Sequence, residues 1–375
     1  MRLIKLFFIT LLLPITAWSA TAPAPSLAVN AYLLRDFNSG NDIVSNKKDE
    51  RLEPASLTKM MTAYLTFDAI QQGHLTLDQV IPVSEKAWKA EGSRMFIEPR
   101  KSVTVDELLH GLIIQSGNDA AIALAEAIGG SEDQFAMMMN AQAKKMGMAA
   151  SNYMNSTGLP DKEHYTTASD LATMAEALIR DFPNDYARLY KQKEYTYNKI
   201  KQFNRNKLLW LDKNVDGVKT GHTQAAGYCL VSSAKRGSTR LIAVVLGAKN
   251  ETMRASESQK LLNYGFQFFE TTQVYKKGQA ISTIPVYKGF NKTVTATVAE
   301  DLYLTLPKGN YAKVNATMTS KQPLIAPVNA GQPVGKITFK LDGKVIHEQT
   351  LVASEDINPA GFFGKIIDSI KLLVK

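Results

Sequence analysis

The order of strand and helix patterns along the chain limits the folds that it can adopt. Strand-like runs lie at residues 31–45 and 227–248, and helical patterns fill the sequence between them, at 105–128, 131–146 and 168–180. Strands at both ends of a region with helices between them predict an α+β domain whose antiparallel sheet joins the two ends. A further helical pattern over 255–270 completes this domain, which we place at residues 27–271.

The sequence changes in character from about residue 272. Runs such as TVTATVAEDLYLTLPKG and VGKITFKLDG alternate with turn residues at short, regular intervals. This pattern predicts a small all-β sandwich domain over residues 272–356. We find no catalytic group of residues in it, so a spacer or stabilising role is the preferred interpretation.

Both ends of the chain carry segments typical of export and membrane attachment. Residues 1–20, MRLIKLFFITLLLPITAWSA, place basic residues before an apolar run and small residues after it, as in a cleaved secretory signal peptide. A permanent membrane helix is less favoured, because the apolar run is short and Pro14 interrupts it.

Residues 360–375 predict an amphipathic helix that follows a flexible link, INPAG. Attachment to a membrane surface is favoured over docking as a last core helix. Its predicted faces differ in polarity: the apolar face holds Phe362, Phe363, Ile366, Ile367, Ile370, Leu373 and Val374, and the polar face holds Lys365, Asp368, Ser369, Lys371 and Lys375.

Composition narrows the chemistry that an exported chain of this kind can carry. The formal net charge is +9, which favours an anionic surface such as lipid headgroups or a cell-wall polymer and gives no argument for nucleic acid. The single cysteine, Cys229, cannot form an internal disulfide and is predicted to be buried. The five histidines show no metal-ligand spacing, so zinc hydrolysis is disfavoured.

A lysine in apolar surroundings is the strongest chemical signal in the sequence. Segment 54–70, PASLTKMMTAYLTFDAI, predicts a helix that starts at Pro54 and carries Ser56 and Lys59 on one face. Burial of an ammonium is costly unless the group is paired or loses its proton. A deprotonated amine beside a serine hydroxyl can activate that hydroxyl as a nucleophile.

The Ser-x-x-Lys spacing alone is weak evidence, because a lysine can also extend its ammonium from an apolar face to solvent. The same spacing occurs at Ser45 with Lys48 and at Ser232 with Lys235. The first pair is predicted to lie in a charged loop. The second lies in a probable strand, where this spacing puts two side chains on opposite faces.

Two further motifs follow in the chain. Ser116 and Asn118 lie where two apolar helices break, a position that suits a helix cap, or a proton relay with an amide for a substrate peptide group. Lys219, Thr220 and Gly221 are predicted on an edge strand. There they would offer an ammonium and a hydroxyl to an anionic ligand, with room for its backbone beside the glycine.

In this order the three motifs are typical of penicillin-binding proteins and class A β-lactamases. The sequence resembles the D-alanyl-D-alanine carboxypeptidases of the low-molecular-mass penicillin-binding protein 5/6 type, in segments such as QSGNDA, NVDGVKTGHT and FFGKIIDSIKLL. The resemblance covers essentially the whole mature chain. It implies a β-lactamase/transpeptidase-like domain in a periplasmic protein that is attached peripherally to the outer face of the inner membrane.

The resemblance further implies an acyl transfer on peptidoglycan stem peptides that end in D-Ala-D-Ala, without a metal or a cofactor. Ser56 would be the nucleophile, Lys59 its general base and Ser116 the proton relay to the leaving nitrogen. β-Lactam antibiotics would acylate the same serine. The implied substrate-binding residues are Asn118, Lys219, Thr220, Gly221, His222, Arg254 and Arg205, with the backbone N–H groups of Ser56 and His222 as the oxyanion hole.

One position departs from the pattern of the family. Thr157, in MNSTGLPD, stands where the resemblance implies a histidine, so Lys59 with Ser116 is the simplest choice for deacylation. A β-lactamase is disfavoured, because no Glu-x-x-Leu-Asn segment is evident. A DD-endopeptidase acting on cross-links is not separable by sequence, and a non-catalytic peptidoglycan-binding protein is disfavoured because every motif side chain is present.

Overall fold

The computed structural model describes residues 23–373, so the predicted signal peptide over residues 1–20 lies outside the described part. The helices of the first domain are α1 (Lys59–Gln71), α2 (Glu85–Trp88), α3 (Val105–His110), α4 (Asn118–Gly129), α5 (Glu132–Lys145), α6 (Ala168–Asp181), α7 (Pro183–Leu189), α8 (Leu208–Leu211) and α9 (Glu251–Phe268). Its strands are β1 (Ala31–Asp36), β2 (Asp42–Asn46), β3 (Val80–Ile81), β4 (Val103–Thr104), β5 (Glu194–Tyr197), β6 (Ile200–Phe203), β7 (Val215–Thr223), β8 (Gly227–Arg236) and β9 (Thr239–Ala248).

A five-stranded antiparallel sheet forms the centre of this domain, in the order β2-β1-β9-β8-β7. β1 pairs with β9 from Ala31↔Leu246 to Asp36↔Leu241, which confirms the predicted α+β fold with a sheet that joins the two ends of the region. Residues of β9 alternate between two apolar clusters. Val244 packs in the cluster that contains α1, α4 and α6, and Val245 packs in the cluster that contains α9. Helices therefore cover both faces of the sheet.

α1 lies in the middle of the larger cluster and is buried along most of its length. The strand β7 is at the edge of the sheet, and among the described strands it pairs only with β8. Its other side lies against the short 3₁₀-helix Ala55–Thr58, which leads into α1. The fold thus brings the start of α1 and the exposed edge of the sheet together.

Periodicity in the sequence does not predict the hairpin β5–β6 or the short helices α2, α7 and α8, because segments of this length are too short to show it clearly. The last helix of the first domain also begins earlier than predicted. α9 begins at Glu251 rather than at residue 255, because the Asn250 side chain caps it by accepting a hydrogen bond from the Met253 N–H at 2.8 Å.

The second domain is built from β-strands, as predicted. Its strands are β10 (Phe269–Tyr275), β11 (Ala280–Tyr287), β12 (Thr293–Thr297), β13 (Leu302–Pro307), β14 (Val314–Ser320), β15 (Leu324–Ile325), β16 (Pro333–Leu341) and β17 (Lys344–Ala353). A six-stranded sheet, β14-β16-β17-β12-β11-β15, and the pair β10-β13 share one apolar cluster. The predicted boundary between residues 271 and 272 falls inside β10 and stays a prediction.

The first hairpin connects the two domains through a buried carboxylate. Asp36, fully buried at the end of β1, accepts hydrogen bonds from the Ser39 N–H at 2.8 Å and from the Thr271 hydroxyl at 2.6 Å. The Ser39 hydroxyl also contacts the Thr305 hydroxyl at 2.6 Å. The turn of the hairpin is therefore bonded to β10 and β13 of the second domain.

The last described helix, α10 (Phe362–Leu373), confirms the predicted amphipathic helix. Asp368 of its polar face is buried, because the carboxylate accepts hydrogen bonds from the second domain. The segment before the helix is not a free link either, since Ile357 pairs with Val328 and Pro359 pairs with Gly289 in isolated β-bridges. Within residues 23–373, no helix is both long and apolar enough to cross a membrane.

Candidate active site

Ser56 lies on the 3₁₀-helix Ala55–Thr58, and Lys59 is the first residue of α1. The sequence predicted a single helix after Pro54, and the structure tightens its first turn into the 3₁₀ form. This arrangement leaves the serine hydroxyl at a cleft while the lysine side chain runs beneath it. Lys59 is only 1% exposed.

Three oxygen atoms surround the Lys59 ammonium. Its Nζ lies 3.1 Å from Ser56 Oγ, 2.7 Å from Asn118 Oδ1 and 2.6 Å from the Thr157 carbonyl oxygen. Burial lowers the pKa of Lys59 to about 7, so a neutral amine is accessible near neutral pH. In that form the amine can donate to Asn118 and Thr157 and direct its lone pair at Ser56 Oγ.

Ser116 and Asn118 reach the site from the predicted break between two helices. A π-helical turn over Gly111–Gln115 ends at Ser116, which has a left-handed backbone with φ 64°, and α4 starts at Asn118. Such a conformation is uncommon for a serine and ends the preceding helix here. The Asn118 amide bridges two groups: its oxygen accepts from Lys59, and its Nδ2 donates to the Glu91 carbonyl at 2.5 Å.

Lys219 approaches from the sheet edge. Its Nζ donates to Ser116 Oγ at 2.8 Å and to the Thr220 carbonyl at 3.0 Å. Burial lowers the pKa of Lys219 well below its ordinary value, and the neighbouring positive charges of Lys59 and Arg205 lower it further. The site therefore holds two buried amines close together, and an anionic ligand would stabilise their charged forms.

A cleft of about 370 Å³ opens above these groups. Eight of the ten predicted site residues line it: Ser56, Ser116, Asn118, Arg205, Thr220, Gly221, His222 and Arg254. The remaining two, Lys59 and Lys219, are hydrogen-bonded to residues of the lining. The structure therefore brings together all ten predicted residues, although they come from five separate segments of the chain.

The glycine of the third motif is required by a close approach between backbones. A Cβ at Gly221 would lie 3.0 Å from the Pro54 carbonyl oxygen and 3.2 Å from the Leu57 nitrogen. The edge strand therefore packs directly on the turn that carries Ser56.

One end of the cleft is cationic. Arg254, buried on α9, donates to the Arg205 carbonyl at 3.3 Å and lies over the ring of Tyr228, 5.7 Å from its centroid. His222 packs on the same ring, and the ring centroids of His222 and Tyr228 are 4.0 Å apart. The lining carboxylate, Glu251, is paired with Lys207. The cleft thus favours an anionic ligand group at this end.

The loop that carries Thr157 contacts Lys59 in a way that the sequence motifs did not predict. Its contribution to Lys59 is a backbone carbonyl, which no side-chain motif reveals. The Thr157 hydroxyl donates to Asn155 Oδ1 at 2.9 Å, and Asn155 also accepts the Gly158 N–H at 2.7 Å. The glycine after Thr157 is the sequence feature that could have indicated this close packing. Gly158 has φ 81°, and a Cβ there would lie 1.8 Å from the Ala55 carbonyl oxygen.

Asp119 is a second functional residue that the sequence analysis missed. This buried carboxylate accepts the N–H groups of Met95 at 3.0 Å, Phe96 at 2.8 Å and Ile97 at 3.2 Å. It thereby holds the loop whose earlier residues, Gly92 and Ser93, line the cleft. Its signal in the sequence is an acidic residue directly after Asn118 in an otherwise apolar segment.

Comparison with known proteins identifies the family. Residues 18–250 match the peptidase S11 family, described as D-alanyl-D-alanine carboxypeptidase, and residues 269–359 match the C-terminal domain of penicillin-binding protein 5. The chain belongs to the D-alanyl-D-alanine carboxypeptidase family. The resemblance stated from the sequence is therefore confirmed.

Individual members of this family are similar over nearly the whole chain. The D-alanyl-D-alanine carboxypeptidase DacC of Escherichia coli (strain K12) is 42% identical over 95% of this chain and 92% of its own length. The crystal structure of penicillin binding protein 5 from Haemophilus influenzae superposes with a TM-score of 0.87 at 40% identity, over 90% of this chain and 99% of that one.

A ligand-bound relative is also similar in structure. Penicillin-binding protein D2 from Listeria monocytogenes, in its ampicillin-bound form, gives a TM-score of 0.60 at 30% identity. The match covers 65% of this chain and 99% of that one. Within residues 23–373, no cluster of three or more His, Cys, Asp or Glu side chains is arranged to hold a metal ion.

Gly158→Ala tests whether the Thr157 loop must pack directly on the Ser56 turn. The matched control is Gly130→Ala, which has a similar φ of 75° but open space around its Cβ. The control should lose about 1–2 kcal/mol from backbone strain. Gly158→Ala should lose more in thermal or urea unfolding, and it should also slow acylation by penicillin. Equal losses in the two variants, with acylation intact, would contradict the close packing.

Proposed function

We propose that this family member is a serine-type D-alanyl-D-alanine carboxypeptidase that removes the terminal D-alanine from peptidoglycan stem pentapeptides through an acyl-enzyme on Ser56. The observation that carries the proposal is the buried Lys59 amine, whose Nζ lies 3.1 Å from Ser56 Oγ and is held there by two other acceptors. A serine hydroxyl next to a base of pKa about 7 is an activated nucleophile.

In the acylation step, neutral Lys59 takes the proton of the Ser56 hydroxyl while Oγ attacks the penultimate carbonyl carbon. The backbone N–H groups of Ser56 and His222 stabilise the negative oxygen that forms. This assignment is supported by the close packing of the edge strand on the 3₁₀-helix and by the presence of both Ser56 and His222 in the lining of the cleft.

Collapse of the tetrahedral intermediate requires a proton on the leaving nitrogen. Ser116 is suited to deliver it, because Lys219 donates to its oxygen and leaves the hydroxyl hydrogen free to turn towards the substrate. The C–N bond then breaks and D-alanine leaves with its new proton. The proton taken by Lys59 replaces the one that Ser116 gave.

The terminal carboxylate of the substrate binds at the cationic end of the cleft. Lys219 and the Thr220 hydroxyl receive it, and Arg254 with Arg205 adds positive charge. The anion offsets the burial that lowers the pKa of Lys219, so substrate binding keeps this ammonium protonated. The Asn118 amide keeps one N–H hydrogen for a substrate carbonyl, since the other is bonded to Glu91.

Deacylation uses the same groups in reverse. A water molecule takes the place of the departed D-alanine, Lys59 with Ser116 removes its proton, and the water oxygen attacks the ester carbon. The bond from that carbon to Ser56 Oγ then breaks, Lys59 returns the proton to Oγ, and the shortened peptide leaves. Thr157 takes part only through its carbonyl, because its hydroxyl is bonded to Asn155. β-Lactams enter by the first step, since they present a carboxylate and a reactive amide to the same two sites.

We also propose that the mature chain works in the periplasm, attached peripherally to the outer face of the inner membrane. The first domain, residues 27–271, carries the reaction, and the β domain, residues 272–356, holds it away from the bilayer. Segment 360–375 binds the membrane surface. The support for this last role is the exposure of six apolar side chains on α10: Phe362, Phe363, Ile366, Ile367, Ile370 and Leu373.

Ser56→Ala is the direct test of the proposed reaction. The variant should lose both D-alanine release from a pentapeptide and covalent labelling by penicillin, by several orders of magnitude, because both require the same nucleophile. Ser45→Ala, an exposed serine with the same spacing to a lysine, is the matched control and should keep both activities. A penicillin adduct that persists on Ser56→Ala in mass spectrometry would overturn the assignment. Monomer release from a cross-linked peptide dimer would reveal a DD-endopeptidase activity at the same site.

The pH dependence of acylation tests the role of Lys59. The reactive form is the neutral amine, so the acylation rate should rise with pH and reach half its plateau near the Lys59 pKa of about 7. Lys59→Arg should be almost inactive at every pH, because a guanidinium does not give up its proton. Stopped-flow measurement of penicillin acylation gives the profile. A rate that falls as the pH rises through this range would exclude Lys59 as the base.

Lys219→Ala tests the binding of the substrate carboxylate. Loss of a charged hydrogen bond should cost about 1.5–3 kcal/mol in kcat/KM on the normal pentapeptide. A substrate with an amidated C-terminus already lacks this interaction, so the same substitution should cost much less there. Equal losses on the two substrates, measured by peptide cleavage, would show that Lys219 does not hold the carboxylate.

A further inference from the structure

A large apolar side chain outside α10 is exposed at the same end of the second domain. Phe290 lies in the loop between β11 and β12 and is 79% exposed. Ile325, also exposed, lies beside this loop because β15 pairs with the end of β11 through Tyr287↔Ile325. An exposed phenylalanine at a loop tip has no role in the core of its own domain.

The loop that carries Phe290 is bonded to the start of α10. The Phe290 N–H donates to the Asn358 carbonyl at 2.8 Å, and the Ala360 N–H donates to the Lys288 carbonyl at 2.7 Å. Between these bonds, Gly289 and Pro359 form an antiparallel bridge. The loop and the segment before the helix therefore form one hydrogen-bonded unit, in which Phe290 neighbours the first turn of α10.

Asp368 fixes which face of α10 turns away from the domain. Its Oδ2 accepts the Lys288 N–H at 2.7 Å and the Lys292 ammonium at 2.9 Å. A Cβ at Gly364, one turn earlier, would lie 4.0 Å from Lys292 Nζ, so Gly364 and Asp368 share the inner face. At 100° per residue, the six exposed apolar residues span an arc of about 140° centred opposite Asp368.

The charges around this apolar surface are mostly positive. Segments 287–292 and 360–373 contain four lysines, Lys288, Lys292, Lys365 and Lys371, and one acidic residue, the buried Asp368. An apolar face with a basic rim matches the surface of an anionic phospholipid bilayer, whose headgroups attract lysines while the apolar side chains enter the interface.

We propose that Phe290 and α10 form a single membrane-binding surface, in which the β domain itself inserts Phe290 into an anionic bilayer beside the helix. This inference rests on the membrane attachment proposed above and adds a second contact to it. Asp368 is a positioning residue, because its bonds to Lys288 and Lys292 hold the helix and the loop in one orientation. The catalytic domain is then held at a fixed angle to the membrane rather than on a free tether.

Binding of the mature chain to vesicles tests the second contact. Vesicles of phosphatidylglycerol with phosphatidylcholine are sedimented with the wild type, with Phe290→Glu and with Phe203→Glu, an exposed phenylalanine of the first domain. Phe290→Glu should weaken binding at least about fivefold, because a phenylalanine that would enter the bilayer is replaced by a negative charge near anionic lipid. Phe203→Glu should bind like the wild type. Equal binding by the two variants would overturn the proposal.

The double variant Ile367→Glu with Ile370→Glu removes the apolar face of α10 and leaves Phe290 in place, so it tests the helix separately from the second contact. If this double variant is released while Phe290→Glu is not, α10 binds alone and the two-part surface is wrong. If neither is released, the proposed membrane attachment fails as well. D-Alanine release from a soluble pentapeptide should be unchanged in all variants, which also shows that each one is folded. Size-exclusion chromatography tests the alternative that the surface binds a second copy of the chain. A wild-type dimer that Phe290→Glu converts to monomer, with vesicle binding unchanged, would establish that alternative and overturn the proposal.

Asp368→Ala tests the positioning role. Without the bonds to Lys288 and Lys292, the helix can still bind the bilayer, but Phe290 is no longer held beside it. Phe290→Glu should therefore weaken vesicle binding less in the Asp368→Ala background than in the wild type. An identical effect in both backgrounds would show that Asp368 does not couple the loop to the helix.

Discussion

The burial of the Lys59 ammonium is the constraint on which the arrangement of the catalytic domain depends. A charged amine inside a cluster of apolar helices is tolerable only when acceptors surround it, and here they come from three separate parts of the chain. The 3₁₀ turn supplies Ser56, the break before α4 supplies Asn118, and the loop after α5 supplies the Thr157 carbonyl. The three residues that bond to this amine also line the cleft, so the bonds hold the parts of the cleft together. The same burial lowers the pKa of Lys59 to about 7, where the amine can act as a base near neutral pH.

Two buried carboxylates tune this site without touching the substrate. Asp119 holds the loop at residues 95–97 by its N–H groups, and Glu132 holds the other loop by accepting the Ser156 N–H at 3.0 Å. Both raise the pKa of Lys59 and so oppose the effect of burial and of Arg205. Each carboxylate thus acts twice, because it fixes a loop that borders the cleft and limits how far the pKa of the base falls.

Buried carboxylates also connect the larger parts of the molecule. Asp36 joins the first hairpin to the β domain through Thr271, and Asp368 joins α10 to the other end of that domain through Lys292. A buried charge that loses its partners costs far more than a surface ion pair contributes, so separating these parts would leave an uncompensated carboxylate. Charge satisfaction sets the geometry at the catalytic site, between the domains and at the apolar surface of α10.

The sequence by itself determined the chemistry, the class of the fold and the polarity of the last helix. Local motifs identified Ser56, Lys59, Ser116 and Lys219. The spacing of residue types on a helix, at a helix break and on a strand can be recognised from neighbouring residues alone. Only the tertiary structure decided what surrounds them. The Thr157 carbonyl, the loop held by Asp119, the close contact at Gly158 and the inward turn of Asp368 all depend on backbone atoms of segments far apart in the chain. Backbone N–H and carbonyl groups are nearly the same from one residue to the next, so a pattern of side chains cannot predict which of these groups will be in contact.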